Sequence, residues 1–335
     1  MDPRRVVLLL PGQGAQRERL AAGLYGERAE FTDAMDAFFA RLGVYGPPLR
    51  TAWLREAPNP AMDDAAVAQP LLLAVGYALG RSVSAAAGGP DLLLGHSVGE
   101  LAAACLAGVF DAADLGALAA ARSRVLTDGA GRGGMLAVAG GPRELSPALG
   151  PGVAIAALNG PRQTVLAGPA EELAETAERL RASGRTVRAL RSDQAFHSPA
   201  MAGTALRFGA ALAAFGPRAP RAGITVISSR TGAQLTAREA RDPHFWGGQL
   251  AAPVRYWPAV ERLLATWGRR PGLLLLDGSP DGSLGAPARR HSAVREGASE
   301  VVPLLARGRD GGGPGDERAF AGAMDRLAGS GVRPR

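Results

Sequence analysis

The chain has 335 residues, which is room for about two domains or for one large domain with an insertion. Hydrophobic residues make up 47% of it and charged residues 21%, a balance that excludes a disordered chain and provides for a sizeable core. The net charge of +7 is spread along the sequence without a long block of like charges. Nucleic-acid binding is therefore not expected, and an acidic protein partner or a phosphorylated substrate fits the charge better.

Three short apolar runs that each end in a turn predict buried parallel strands. Val6–Leu10 is closed by a glycine-rich turn that contains Gln13, and Leu92–Leu94 is followed by a second glycine-flanked turn. A helix is predicted after that turn, over Leu101–Leu106, and the third run is Leu273–Leu276. Buried strands that alternate with helices predict a mostly parallel sheet covered on both faces.

The stretch from residue 134 to 191 has a different order of predicted strands and helices. The predicted strands are Met135–Ala139, Val153–Leu158, Thr164–Ala167 and Thr186–Leu190, and the predicted helices are Pro142–Leu149 and Ala170–Ala182. This β-α-β-β-α-β order is the ferredoxin-like arrangement. We therefore predict a small inserted domain over 129–197 and a larger α/β domain made of 1–128 and 198–335. Segments 128–134 and 307–316, rich in glycine, are predicted to be linkers or surface turns.

The single cysteine, Cys105, cannot form an internal disulfide, so a reducing compartment is the natural setting and the thiol is expected to fill core space. The apolar run near the start is too short for the core of a signal peptide. No apolar run is expected to approach the ~20 residues of a membrane span. The sequence therefore predicts a cytoplasmic protein without a membrane partner.

The turn after the second apolar run carries a candidate nucleophile. Gly95-His96-Ser97-Val98-Gly99 fits the pattern G-x-S-x-G, in which a serine lies on a sharp turn between a strand and a helix. This geometry exposes the serine oxygen and directs the N–H of the next residue, Val98, at the carbonyl under attack. The alternative is an ordinary turn serine, but the strand before and the helix after it are the context that a nucleophile requires.

A serine nucleophile needs a base. The chain has four histidines, which are His96, His197, His244 and His291. His96 lies inside the turn and is badly placed to act on its own neighbour. His197 precedes Ser198 and Pro199, which predict an N-cap and the first residue of a helix. We therefore expect His197 at a domain junction, either as the base or as a surface histidine beside a helix cap.

Arg122 lies on the apolar face of a predicted helix that Asp111 can cap. It follows Leu115 by seven positions and Leu118 by four, whereas Arg124 points away. An inward arginine needs an anionic partner, because a buried unpaired charge costs roughly several kcal/mol. We expect either an internal ion pair or a bidentate clamp on a substrate carboxylate, which the planar guanidinium suits.

Gln13, in the turn after the first strand, is placed to lend a second backbone N–H to an oxyanion hole, because such turns draw that donor from a neighbouring strand-end loop. The alternative is a plain glycine-rich turn. The histidines are far apart and the cysteine is isolated, so no metal site is expected. No nucleotide-binding glycine motif follows a strand, so no cofactor is expected either.

Together these motifs resemble those of the malonyl-CoA:acyl-carrier-protein transacylase family, which includes the acyltransferases of polyketide synthases. The resemblance spans nearly the whole chain in the family's order, through Pro11-Gly12-Gln13-Gly14-Ala15-Gln16, Gln69-Pro70, Gly95-His96-Ser97-Val98-Gly99-Glu100, Arg122-Ser123-Arg124, Gly134-Met135-Leu136-Ala137-Val138, Asn159-Gly160-Pro161, Ala195-Phe196-His197-Ser198-Pro199-Ala200-Met201, Gln249-Leu250 and Pro253-Val254-Arg255-Tyr256. It implies an α/β-hydrolase-like large domain with a parallel sheet and an inserted ferredoxin-like small domain, in agreement with the order of elements above.

The resemblance also implies a role for individual residues. Ser97 would be the nucleophile and His197 the base. Backbone N–H groups of Gln13 and Val98 would form the oxyanion hole, and Arg122 would bind the free carboxylate of a dicarboxylic acyl group. Val98 matches the pattern of malonyl-type members.

Gln69, Phe196 and Gln249 match family positions at the substrate site, and Phe196 also fits the malonyl-type pattern. The resemblance implies that a backbone carbonyl near Gln249 orients His197, in place of a triad aspartate. Gln194 departs from the family, since polyketide members often carry His or Tyr there.

The implied reaction is a ping-pong transfer of a malonyl group from malonyl-CoA to an acyl carrier protein, in polyketide or fatty-acid biosynthesis. A monomer is expected. Because no ketosynthase or carrier segment precedes the first predicted strand, we expect a discrete enzyme that acts in trans. Three rivals are an editing hydrolase that releases acyl groups from a carrier protein, a patatin-like lipase with a Ser97–Asp277 dyad, and a catalytically dead docking module.

Overall fold

Two separate β-sheets organise the molecule, in a computed structural model that describes residues 4–56, 59–129, 132–269 and 271–329. The strands, in chain order, are β1 (Arg5–Leu10), β2 (Leu92–Gly95), β3 (Gly134–Ala139), β4 (Ala154–Gly160), β5 (Gln163–Gly168), β6 (Val187–Ala189), β7 (Thr225–Ser228), β8 (Ala233–Gln234), β9 (Leu273–Asp277) and β10 (Glu300–Pro303). The larger sheet has the order β10-β9-β1-β2-β7-β8 and the smaller one β4-β5-β3-β6.

The helices of the described residues, in chain order, are α1 (Ala29–Arg41), α2 (Gly46–Leu54), α3 (Ala65–Ala87), α4 (Gly99–Leu106), α5 (Leu115–Thr127), α6 (Pro142–Leu145), α7 (Ala170–Ala182), α8 (Ala202–Leu212), α9 (Ala237–Arg241), α10 (Pro243–Gly247), α11 (Tyr256–Trp267), α12 (Gly285–Arg289), α13 (Ser292–Arg295) and α14 (Pro314–Gly329). Short 3₁₀ turns lie between several of them.

The large sheet is buried on both faces, which explains why its central strands read as continuous apolar runs. Alternate residues of β1 enter different cores: Leu8 and Leu10 pack with helices α1, α3, α4 and α5, whereas Val7 and Leu9 pack with α11, α12 and the small sheet. All strand pairs of this sheet are parallel except β7 with β8. The predicted parallel sheet is therefore confirmed.

The small sheet is antiparallel throughout and follows the β-α-β-β-α-β order predicted for it. The fold class, an α/β large part with a ferredoxin-like insert, is confirmed. The predicted helix Pro142–Leu149 ends as an α-helix at Leu145 and continues as a 3₁₀ turn, because Pro147 has no N–H with which to continue the α-helical hydrogen bonds.

The domain limits at 129 and 197 stay a prediction, and residues 1–3, 130–131 and 330–335 lie outside the described residues. The prediction that 307–316 is a linker or surface turn is wrong only at its C-terminal end, where a helix has already begun. A 3₁₀ turn occupies Gly308–Asp310, and α14 already begins at Pro314.

Helix α3 corrects the expectation about membrane-spanning lengths. It has 23 residues and is, by length and composition, apolar enough to cross a membrane, alone among the described helices. Within the protein, however, 72% of its most apolar window is buried. Burial among α1, α4 and α5 accounts for that composition, as in the core helix of a soluble protein.

A buried carboxylate fixes the C-terminal helix α14. Asp316 Oδ1 accepts hydrogen bonds from Arg17 Nη2 (2.9 Å) and Ala306 N (3.1 Å), and its Oδ2 accepts one from Gly312 N (2.7 Å). The neighbouring residue Glu317 pairs instead with Arg28 in a partly exposed ion pair.

We expect Asp316→Ala to lower the free energy of unfolding by about 3–5 kcal/mol, because it removes the anionic partner of a largely buried guanidinium and leaves two backbone N–H groups without an acceptor. Glu317→Ala is the matched control, and its loss should stay at about 1 kcal/mol or less because water screens that pair. Urea denaturation measures both values, and equal losses in the two variants would contradict this account.

Candidate active site

Ser97 lies at the tip of the sharp turn between β2 and α4. Its φ is 51°, in the left-handed region that residues other than glycine rarely adopt. Two glycines permit the close packing around it. A Cβ on Gly12 would lie 2.3 Å from the His96 carbonyl oxygen, and a Cβ on Gly99 would lie 2.4 Å from the Leu10 carbonyl oxygen. The turn after β1 therefore packs directly against the serine turn.

His197 reaches this serine from a distant part of the chain. Its Nε2 lies 2.8 Å from Ser97 Oγ, and both side chains are buried. His197 also has a positive φ, of 62°. The predicted N-cap position of Ser198 and the helix start at Pro199 are confirmed, but the Ser198 side chain makes no capping bond, because its Oγ donates to the Ala195 carbonyl instead (2.7 Å).

The other ring nitrogen of His197 defines the tautomer. Nδ1 lies 2.9 Å from the main-chain oxygen of Gln249 and 3.0 Å from that of Ala252. Carbonyl oxygens only accept hydrogen bonds, so Nδ1 carries the proton and Nε2 is left to accept the hydroxyl of Ser97. A backbone carbonyl near Gln249 therefore contacts the ring at the place where a triad carboxylate would stand.

Burial keeps the imidazole neutral. Burial, together with the nearby His96 and Arg122, lowers the pKa of His197 to about 4. At neutral pH the ring is in its basic form and is able to take a proton from the serine hydroxyl.

Two backbone N–H groups lie beside the serine without a hydrogen-bond acceptor among the described residues. They belong to Gln13, after β1, and Val98, at the start of α4. Because β1 and β2 are adjacent and pair Leu10 with Gly95, both groups lie at the carboxyl edge of the sheet. Such a pair of donors is able to stabilise a negatively charged oxygen.

Arg122 faces the interior, as its helix position predicts, and is 2% exposed, whereas Arg124 is exposed. Its Nε donates to Gln69 Oε1 (2.8 Å), while its Nη1 has no hydrogen-bond partner among the described residues. No carboxylate of the described residues forms a salt bridge with it. Burial lowers the pKa of Arg122 to about 10, so the group stays charged at neutral pH. The described residues therefore provide no internal ion pair for Arg122.

Gln69 links the arginine to the glycine-rich turn. Its Nε2 donates to Gln13 Oε1 (2.7 Å) while its Oε1 accepts from Arg122. The amide is thus fixed in orientation by both neighbours. The sequence indicated Gln69 only through the family resemblance, because a glutamine inside an apolar helix carries no signal of this bridging role.

The remaining predicted residues surround the base. Phe196 is buried, with its ring centre 6.4 Å from that of His197. A cavity of about 520 Å³ lies beside the site, and its lining includes Gln13, Ser123 and Gln194. The side-chain oxygen of Gln194 is buried there without a hydrogen-bond partner among the described residues.

His96 has a role that the sequence did not predict. Its Nε2 lies 2.8 Å from Asn159 Oδ1 in β4, and its ring packs at a tilt against that of Tyr256, with the ring centres 5.5 Å apart. The serine turn is thereby fastened to the small sheet. Asn159 belongs to Asn159-Gly160-Pro161, one of the motifs that carry the family resemblance. Nothing in its spacing from His96 could indicate the contact.

Asp277 does not pair with Ser97, so the dyad of the lipase rival is wrong. Its carboxylate accepts from the backbone N–H of Ser279 (2.9 Å), the Ser279 hydroxyl and the backbone N–H of Gly285 (2.8 Å). Strand β1 also separates β9 from β2 in the sheet. At ~4.8 Å between strands, this places the end of β9 roughly 10 Å from the serine turn.

This chain matches a protein family, curated proteins and solved structures. The acyl transferase domain family matches residues 7–272. The spectinabilin polyketide synthase system protein NorB of Streptomyces orinoci is 34% identical over 313 residues, which are 91% of this chain and 14% of that protein. The chain thus spans about a seventh of the length of this curated relative.

Solved structures share the fold. The acyl transferase domain of SpnD, in complex with 2-(pent-4-yn-1-yl)malonyl, matches with a TM-score of 0.87 and 29% identity, over 99% of this chain and 78% of that chain. The malonyl CoA-acyl carrier protein transacylase from Clostridium perfringens matches with a TM-score of 0.81 over 97% of this chain and 98% of that one. At 18% identity, the second likeness concerns the fold alone.

The lowered pKa of His197 makes stability depend on pH. The unfolded ring has a pKa near 6.5, so between about pH 6.5 and 4 the unfolded state binds a proton that the folded state excludes, and stability falls as the pH falls. We expect the wild type to lose up to roughly 3 kcal/mol more than His197→Gln between pH 7 and 4. Urea denaturation of both proteins at several pH values measures this difference, and parallel curves would contradict it.

Proposed function

The chain belongs to the acyl transferase domain family, and we propose that it moves a malonyl or related dicarboxylic acyl group from coenzyme A to the phosphopantetheine thiol of an acyl carrier protein. The observation that carries this proposal is the buried Arg122, which has a free Nη1 and no carboxylate partner among the described residues, close to a serine–histidine pair. We place the reaction in polyketide or fatty-acid synthesis, in the cytoplasm, with the protein as a monomer. Action in trans stays a prediction of the sequence.

In the first half-reaction Ser97 would become acylated. Its Oγ attacks the thioester carbonyl while His197 Nε2 takes the hydroxyl proton. The carbonyl oxygen becomes negatively charged, and the N–H groups of Gln13 and Val98 are the donors available to it. When the tetrahedral intermediate collapses, the C–S bond breaks and the imidazolium returns its proton to the leaving coenzyme A thiolate.

In the second half-reaction the carrier's thiol would take the acyl group from Ser97. His197 removes the thiol proton, the sulfur attacks the ester carbonyl, and the serine oxygen leaves with that proton. The same donors serve both halves because the oxyanion forms at the same place. An acidic carrier protein also suits the net charge of +7.

Arg122 would select the acyl group. A charged guanidinium inside the site favours a substrate that brings a carboxylate, and it disfavours neutral acyl chains, which leave the buried charge unpaired. Gln69 would fix the guanidinium in the orientation that leaves Nη1 free. The relative SpnD, seen with a substituted malonyl group, supports this class of substrate.

The cavity beside the site is the space available for the rest of the substrate. It adjoins Gln13 on one side and Ser123, the neighbour of Arg122, on another. Asp63 and Arg191 face each other across its lining as an ion pair.

We expect the protein to gain one malonyl mass when it is mixed with malonyl-CoA, because the hydroxyl of Ser97 is paired with a neutral base. Ser97→Ala should gain none, and His197→Ala should acylate about 10²–10⁴-fold more slowly. Intact-protein mass spectrometry on the millisecond-to-minute scale measures both. Equal labelling of Ser97→Ala would exclude this nucleophile, and rapid loss of the label to water without a carrier would favour the editing hydrolase.

We expect Arg122→Ala to lose malonyl loading and to keep or increase acetyl loading. Removing one partner of a buried charge-assisted contact costs about 2–5 kcal/mol, while a neutral acyl group no longer meets an unpaired charge. Arg124→Ala, an exposed arginine on the same helix, is the matched control and should change neither rate. Loss of both loadings together with a lower melting temperature would mean that Arg122 is structural and would overturn the clamp.

A further inference from the structure

A buried carboxylate lies behind the serine turn and takes no part in the mechanism above. Glu100 is the second residue of α4 and is 1% exposed. Its Oε2 accepts hydrogen bonds from Ser229 Oγ (2.8 Å) and Gln249 Nε2 (2.9 Å), and it forms no salt bridge with the described residues. Burial raises the pKa of this carboxyl, which shows how unfavourable the ionised group is at this place.

Gln249 joins this carboxylate to the base. Its side chain is buried, its Nε2 donates to Glu100, and its Oε1 has no hydrogen-bond partner among the described residues. Its main-chain oxygen accepts from His197 Nδ1, and the next carbonyl, that of Leu250, accepts from the backbone N–H of His197 (2.8 Å). The residue therefore contacts Glu100 through its side chain and the imidazole through its backbone.

We propose that Glu100 is a positioning residue, which orients His197 by binding the side chain of Gln249. The inference rests on the proposed roles of Ser97 and His197. In a serine–histidine–aspartate triad the carboxylate contacts the imidazole directly. Here the carboxylate stands one residue further away, and the peptide carbonyl of Gln249 makes the contact.

The local backbone explains why such an anchor matters. Gln249 lies in a single 3₁₀ turn, Gly248–Leu250, and such short turns are less regular than helices. A rotation of its carbonyl would leave Nδ1 of His197 with the Ala252 carbonyl as its one acceptor, and the ring would be held less firmly in the orientation that directs Nε2 at Ser97. A misplacement of ~1 Å in a reacting group can cost about 10²-fold in rate. The side-chain bond to Glu100 opposes that rotation.

The test is a double-mutant cycle between Glu100 and Gln249. We expect Glu100→Ala and Gln249→Ala each to slow Ser97 acylation by malonyl-CoA by about 10–10²-fold, since Gln249→Ala keeps the carbonyl but loses the anchor. The double variant should be no slower than the worse single variant, because both changes remove one interaction. Inactivation by diisopropyl fluorophosphate, which needs the serine–histidine pair but no acyl substrate, should change by the same factors.

Two further variants separate positioning from a purely structural role. Glu100→Gln keeps an oxygen that accepts from Gln249 and should restore acylation to within about threefold of the wild type. Asp277→Asn alters a second buried carboxylate, at the end of β9, that forms no hydrogen bond with His197 or Gln249 among the described residues. It should lower the melting temperature but not the acylation rate. If Glu100→Ala does not fold, Glu100→Leu fills the space without a charge.

Three outcomes would overturn the proposal: wild-type rates in folded Glu100→Ala or Glu100→Leu, additive losses in the double variant, or a Glu100→Gln variant as slow as Glu100→Ala. Failure of the proposed function looks different. In that case the wild type reacts with diisopropyl fluorophosphate but takes up no malonyl group. The fluorophosphate rates of the variants would then still decide the role of Glu100.

Discussion

The contact between Ser97 and His197 is the interaction on which the site depends, because its two partners lie 100 residues apart in the chain, Ser97 before the small sheet and His197 after it. Ser97 is fixed by a turn whose left-handed φ only the surrounding structure can impose. His197 arrives after the small sheet and is fixed by carbonyls near Gln249. The small sheet thus does more than cover the large one. Its connection to α8 delivers the histidine, and Asn159 fastens it to the serine turn through His96.

The site also buries ionisable side chains without pairing them in salt bridges. Arg122 carries a charge with no acidic partner among the described residues, Glu100 forms no salt bridge there, and His197 is kept neutral. Each arrangement disfavours the folded protein in isolation. Side-chain amides supply the hydrogen bonds in place of salt bridges. Gln69 accepts from the arginine, and Gln249 donates to the glutamate. Neutral amides hold the arginine and the glutamate in place without an ion pair between them, which leaves the guanidinium available to a ligand.

Much of the fold follows from local sequence. Strands such as Leu273–Leu276 are continuous apolar runs that only burial on both faces explains, and the insert shows its β-α-β-β-α-β order through alternating patterns. The family resemblance is confirmed by the match over residues 7–272. Errors fall where tertiary contacts override local signals. Ser198 stands at the predicted N-cap position but its side chain bonds to the Ala195 carbonyl, and α3 is apolar because it is a core helix.

The sequence by itself determined the sharp turn at Ser97 and the inward position of Arg122, because both depend on residues within one or two helical turns of each other. Only the tertiary structure decided what those residues meet. That His197 lies beside Ser97, that Asp277 does not, and that Glu100 contacts Gln249 are consequences of strand order and of contacts separated by 100 or more residues. Side-chain period fixes which way a residue points along its own element, but the partner across a sheet depends on how distant segments pack.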